Sequence, residues 1–189
     1  FTGAIVTGSA AGVYDDLPWI PQLIDWLRAA RGRTRLVGIC FGHQVMAHAF
    51  GGRVEKSDKG WGIGLHRYDV LGDEPWMHPR ARTIAIPVSH QDQVVDAADA
   101  RVIASCAFTP YAGLAWGEDA MSFQCHPEFQ PEYAAALIEG RRGHRIPEAL
   151  ADEALASLQR SNDRAVLTAW IRAFLLLTPP PVEAGGSGI

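Results

Sequence analysis

The sequence predicts an α/β fold in which a mixed sheet carries helices on both faces, and three observations lead there. Apolar runs of strand length alternate with helix-forming stretches as far as residue 71, and three further strand-like runs separated by turn residues lie between 101 and 125. Beyond them the chain turns helical as far as Leu177. Hydrophobic residues make up 48% of 189 residues, enough for one sizeable core, so residues 1–178 are read as a single domain. The Pro/Gly-rich stretch 179–189 is read as a tail without a core of its own.

Taken in order, Ala4 to Thr7 reads as a buried strand, and Gly8 to Gly12 as a small-residue loop in which Gly8 offers a bare backbone amide. Ala4-Ile5-Val6 is too apolar for a comfortable sheet edge, so a further strand from residues upstream of Phe1 is expected beside it. Ile20, Leu23, Ile24 and Leu27 share one face of a helix over Trp19 to Ala30, with Asp16 as its expected cap. Tyr14 and Trp19 are assigned to packing. Leu36 to Ile39 has the length and bulk of a buried parallel strand, and Gln44 to Phe50 carries good helix formers closed by Gly51-Gly52. Gly60 to Gly64 is a glycine-studded turn feeding a strand toward Val70-Leu71. No Lys-Ser/Thr pair follows it and its spacing is not a dinucleotide fingerprint, so phosphate binding is set aside. Thr83 to Val88 is a strand that Pro87 places at a sheet edge or strand end. Arg101–Ser105, Ala112–Trp116 and Met121–Cys125 read as a meander, and helices over 131–142, 147–160 and 163–177 follow.

Cys40 sits where the strand at Leu36–Ile39 gives way to a helix, between Gly38 and Gly42. A side chain on so tight a turn projects at the carboxyl end of the sheet, and a helix N-terminus aimed at it favours an anionic sulfur. A lone cysteine is otherwise a small core residue. A thiol nucleophile needs an imidazole, and the imidazole needs a carboxylate to fix its tautomer. Among seven histidines His126 directly follows an apolar strand run and has a carboxylate two residues on, in His126-Pro127-Glu128, where extended backbone turns both side chains the same way. His66, His78 and His144 read as loop or surface residues; His43 and His90 read as neighbours of the site rather than as its base.

Composition bounds the rest. A net charge of −4 and a pI near 6.0 give no basic field for nucleic acid. Three widely spaced cysteines without a C-x-x-C argue against a disulfide framework or a zinc site. No apolar stretch reaches the ~20 residues of a membrane span and no signal peptide is present, so a cytoplasmic protein is expected, with no nucleic-acid or membrane partner, no metal and no cofactor.

Four blocks carry a family resemblance: Thr7-Gly8-Ser9 with Val13-Tyr14-Asp15-Asp16, then Gly38-Ile39-Cys40-Phe41-Gly42-His43-Gln44, then Ser89-His90-Gln91-Asp92-Gln93-Val94, and last Phe123-Gln124-Cys125-His126-Pro127-Glu128. The chain resembles the triad-type class I glutamine amidotransferases, in particular stand-alone members similar to the glutaminase domain of GMP synthase. The resemblance implies a flavodoxin-like, mostly parallel sheet flanked by helices, from which the family's first strand and helix are missing here. It implies Cys40 as nucleophile, His126 as general base and acid, Glu128 as orienting carboxylate, the Gly8 and Phe41 amides as oxyanion hole, and Gln44 with Ser89-His90 as the glutamine-holding groups. Many members of the family that the chain resembles carry a glutamate where Gly62 stands, so the resemblance implies no substrate contact from that loop.

The expected activity is hydrolysis of the glutamine side-chain amide, with ammonia passed to a separate synthetase subunit. The alternatives are a stand-alone γ-glutamyl amide or peptide hydrolase with the same triad, and a non-catalytic binding or regulatory protein on this fold.

Overall fold

The structure is a computed structural model and describes residues 3–177. The tail at 179–189 lies outside the described residues, as does anything upstream of Gly3. The strands are β1 (Gly3–Val6), β2 (Arg35–Ile39), β3 (Arg53–Lys56), β4 (Gly62–Val70), β5 (Thr83–His90), β6 (Asp92–Asp96), β7 (Arg101–Ser105), β8 (Gly113–Trp116) and β9 (Ala120–Phe123). The helices are α1 (Trp19–Ala30), α2 (Phe41–Ala49), α3 (Pro131–Glu139), α4 (Glu148–Leu158) and α5 (Arg164–Leu176).

Seven strands form one sheet in the order β1-β2-β9-β8-β7-β4-β5, and β3 pairs with β6 in a separate ribbon. The sheet is mixed and flanked by helices, as expected. Its parallel ladders join β1 to β2 and β2 to β9, whereas the other four ladders are antiparallel, a smaller parallel share than expected. The connections from β7 to β8 and from β8 to β9 are too short for parallel crossovers, which forces those two ladders antiparallel.

Side-chain alternation along β2 divides the core. Val37 and Ile39 face Met121, Phe123, Trp170 and Phe174 under α5, while Leu36 faces Ile24, Leu27, Val45 and Trp116 under α1 and α2. A third cluster packs Ile138, Ile146 and Leu158 of the α3–α4 region against Ile63 at the end of β4. A fully buried side chain such as Leu27 contributes roughly 1.5–3 kcal/mol. No helix among the described residues is long and apolar enough to cross a membrane.

Helix α2 lies hard against β1 and β2, which only glycine permits: a Cβ at Gly38 would stand 2.5 Å from the Gly42 carbonyl oxygen, and one at Gly42 would overlap the Val6 carbonyl. On the far side of the sheet, α5 is tied to the strands by its first residues. Asp163 brackets Ala85 with two hydrogen bonds of 2.8 Å, and Arg164 Nε donates to the Pro127 carbonyl at 2.8 Å.

Some expectations need correction. Pro18, not Asp16, occupies the N-cap of α1, because Asp15 turns the chain back by accepting from the Gly12 amide at 2.9 Å. Helix α2 begins at Phe41, three residues before the expected Gln44, so that Cys40 itself is the N-cap. His66 lies within strand β4 rather than a loop, its ring edge against Phe108. The ribbon β3–β6 has no apolar alternation in the sequence because most of its side chains are polar and exposed; only Val54 and the neighbouring pair Gln93 and Val94 are buried. Pro87 does sit in an edge strand, β5, and β1 is the other edge, with Ile5 49% exposed and β2 its one partner among the described residues.

Candidate active site

Cys40 occupies φ 54°, ψ −103°, a left-handed conformation that strains any residue with a Cβ. The strain aims the thiol off the carboxyl end of β2 at the start of α2, the geometry of a nucleophile elbow. Neighbouring β9 runs parallel to β2, with Ile39 in register with Phe123, and the Cys40 amide donates to the Phe123 carbonyl at 2.9 Å. The chain leaving β9 therefore brings His126 to the same edge, where its amide donates to the Pro87 carbonyl at 2.8 Å.

His126 is buried, its Nδ1 2.7 Å from Glu128 Oε1 and its ring also hydrogen-bonded to the Cys40 side chain. Burial opposes the charged imidazolium, but the bonds to Cys40 and Glu128 outweigh it and raise the pKa to about 9. Phe129 stacks on the ring with centroids 3.9 Å apart. At Gly8 an added Cβ would stand 3.1 Å from His126 Cε1 and 3.7 Å from Cys40 Cβ, so the Gly8 loop closes over the Cys40–His126 contact. Phe41 is the first residue of α2, where backbone amides lack intrahelical acceptors. Neither the Gly8 nor the Phe41 amide is taken by a turn or cap hydrogen bond among the described residues.

Cys40 borders two adjoining cavities. One, of about 420 Å³, is lined by Gln44, Ser89 and His90 and also by Tyr14, Asp15, Asp92, Lys56, Arg141 and Arg145. The other, of about 340 Å³, opens on the His126 side and is walled by Phe129, Tyr133, Leu137 and Arg141. Gln44 is buried, and its Nε2 donates to the Asp92 carbonyl at 2.8 Å and to Gln124 Oε1 at 3.2 Å. Ser89 Oγ accepts from Arg141 Nη1 at 2.6 Å.

His90 is buried with Nδ1 3.1 Å from the Asp92 carbonyl, and burial, together with repulsion between its charged form and that of neighbouring His66, lowers its pKa to about 3. His43 points away into the core, 2.8 Å from Ser122 Oγ, and burial takes its pKa to about 3 as well. Both histidines are thus neutral, which leaves His126 as the charged imidazole beside the thiol. At Gly62 a Cβ would meet Phe108 at 2.8 Å and His90 Nε2 at 2.9 Å, so the space a larger residue needs is already filled.

Tyr14, expected to pack in the core, lines the cavity instead. It is 56% exposed at the cavity and hydrogen-bonds Asp92, and burial of its hydroxyl together with that bond raises its pKa to about 12. Lys56, Asp15, Arg141 and Arg145 also line the cavity and are not among the expected site residues; the closeness of Arg141, Arg142 and Arg145 in the chain is a local signal for two of them. Among the described residues no group of three or more His, Cys, Asp or Glu side chains is placed to hold a metal ion.

The family model "Glutamine amidotransferase class-I" matches residues 1–139. The chain belongs to the class I glutamine amidotransferases. A glutamine amidotransferase-like protein of Schizosaccharomyces pombe is 30% identical over 91% of this chain and 71% of its own length. Gamma-glutamyl peptidase 3 of Arabidopsis thaliana is 23% identical over 88% of this amidotransferase chain and 71% of the plant protein. The crystal structure of a glutamine amidotransferase from Thermotoga maritima superposes with a TM-score of 0.72 at 18% identity, covering 91% of this chain and 78% of that one, a likeness that concerns the fold.

Proposed function

We propose that this chain hydrolyses the side-chain amide of glutamine through a cysteinyl γ-glutamyl thioester. The observation that carries the reading is the His126 ring held between the Cys40 side chain and the Glu128 carboxylate at the carboxyl ends of two adjacent parallel strands. In the proposed reaction the Cys40 sulfur attacks the carboxamide carbon while the Gly8 and Phe41 amides receive the developing oxyanion. His126 hands its proton to the departing nitrogen as the C–N bond breaks, and ammonia leaves. Neutral His126 then takes a proton from water, the resulting hydroxide attacks the thioester, and glutamate leaves with Cys40 restored. Glu128 holds the tautomer and stabilises the imidazolium. In this reading Gln44, Ser89 and His90 line the glutamine pocket, where Asp15 and Asp92 face the ammonium end of the amino acid and Lys56 and Arg145 face its carboxylate. Residues 1–178 form the catalytic domain, and a separate synthetase subunit would receive the ammonia.

A second reading, cleavage of larger γ-glutamyl amides, is favoured by the cavity of about 340 Å³ on the His126 side, from which the leaving group would depart. Both readings share the thioester. A glutamine-analogue electrophile is expected to add one equivalent to the full-length protein, on the peptide holding Cys40, with glutamate released from glutamine by the unlabelled protein. An unmodified Cys40 together with no release from any γ-glutamyl amide would leave only a non-catalytic role.

A further inference from the structure

We infer that the cavity beside His126 is a leaving-group subsite for an amino acid, with Arg141 binding its carboxylate and Phe129, Tyr133 and Leu137 its apolar side chain; the inference rests on the thioester reading of Cys40. Ammonia needs about the space of a water molecule, roughly 30 Å³ of liquid volume. The cavity from which it would leave is about 340 Å³, far more than that departure requires.

The lining is not neutral. Phe129 stacks on His126, and Tyr133 meets Phe129 edge-on at 4.9 Å while staying 54% exposed, so an aromatic wall runs from the proton donor to solvent. At its other side stands Arg141, fixed by its bond to Ser89 Oγ and by Trp61, whose ring centroid lies 5.2 Å from the guanidinium carbon. Among the described residues no carboxylate pairs with Arg141. The adjacent Arg142, by contrast, is paired with Glu139 and Asp152. A positioned, uncompensated guanidinium facing a cavity is the arrangement that selects a carboxylate, because it offers two parallel N–H donors. The remaining charge in the cavity, Glu128, is already bonded to His126. The favoured substrate is therefore a γ-glutamyl-amino acid with an apolar side chain, whose amine nitrogen takes the His126 proton as the thioester forms.

Three substrates sharing one glutamyl part test this with the full-length protein: glutamine, γ-glutamyl-leucine, and γ-glutamyl-3-methylbutylamide, which is the leucine compound without its carboxylate. A charged hydrogen bond is worth roughly 1.5–3 kcal/mol, or about 10- to 100-fold, so kcat/KM for γ-glutamyl-leucine is expected to exceed that for the methylbutylamide by this factor. In Arg141→Gln that ratio is expected to collapse to about threefold or less, with partial recovery in Arg141→Lys. Equal rates on the two larger amides in the wild type, or a ratio that survives Arg141→Gln, would overturn the subsite while leaving the thioester reading intact. So would glutamine turnover with both larger amides inert. Failure of all three substrates together with an unlabelled Cys40 would instead remove the thioester reading, and the subsite with it.

Discussion

Replacing Glu128 by glutamine keeps an acceptor oxygen on His126 Nδ1 and removes only the charge. The bond is 2.7 Å, and the glutamate side chain is 49% exposed, so solvent screens part of the interaction. A charge-assisted bond of this kind is worth roughly 1.5–3 kcal/mol, and the lower end applies here, about one pH unit. His126 has its pKa raised to about 9, and its protonated form is the proposed donor to the leaving nitrogen. That form is populated below its pKa, so a lowered pKa trims the active range from the alkaline side. Activity of the wild type is expected to fall as pH rises through about 9. In Glu128→Gln the alkaline limb should move about one unit lower, with kcat reduced on the order of tenfold at neutral pH. Glutamate release measured between pH 6 and 10 decides the matter. A variant whose limb and kcat coincide with the wild type would show that the carboxylate neither charges nor orients the ring.

Other perturbations follow from the same geometry. Gly8→Ala brings a Cβ to 3.1 Å from His126 Cε1 and should lower glutamine turnover on the order of 100-fold, with the melting temperature shifted by about 5 °C or less; unchanged turnover would show that the loop does not close over the thiol. Cys40→Gly and Cys40→Ala both lose the sulfur, but only glycine relieves the φ of 54°, so the glycine variant is expected to be the more stable by about 1 kcal/mol in urea denaturation, the reverse of the usual order. Because the folded-state pKa of His126 is raised, its contribution to stability is complete below about pH 6.5 and is lost as pH rises through about 9. The stability gap between wild type and His126→Gln should accordingly narrow over that window, and a gap that widens would refute the assignment. His43→Ala leaves Ser122 Oγ without its partner in the core and should cost about 2–4 kcal/mol of unfolding free energy, with kcat within about threefold of wild type if His43 takes no part in the chemistry.

The elements that were legible in the sequence are those whose signal is local. A four-residue apolar run, two glycines and a helix-forming stretch suffice to place Cys40 on a turn, because the glycines record the close approach of α2 to β1 and β2. His126 and Glu128 lie two residues apart, so one extended segment sets their relation. Arg141, Lys56, Asp15 and Tyr14 reach the cavity from separate loops, and no spacing in the chain encodes that meeting. The β3–β6 ribbon was hidden for a similar reason: its order comes from pairing and from Val54 and Val94 under α2, while its other residues look like an ordinary polar loop. Asp16 had the right chemistry for a cap, but Asp15 had already claimed the turn.

The attachment of α5 has a consequence for how the protein comes into being. The Pro127 carbonyl beside His126 is held by Arg164, and Ala85, two residues before the Pro87 that anchors the His126 amide, is bracketed by Asp163. Cys40 precedes these clamps by about 120 residues, an interval of roughly 6 to 25 s at ribosomal speeds of 5–20 residues per second. Through that time the thiol is exposed to the cell before the clamps that hold its imidazole partner have been made. The proposed nucleophile is thus armed by the docking of a distant helix rather than by its own synthesis.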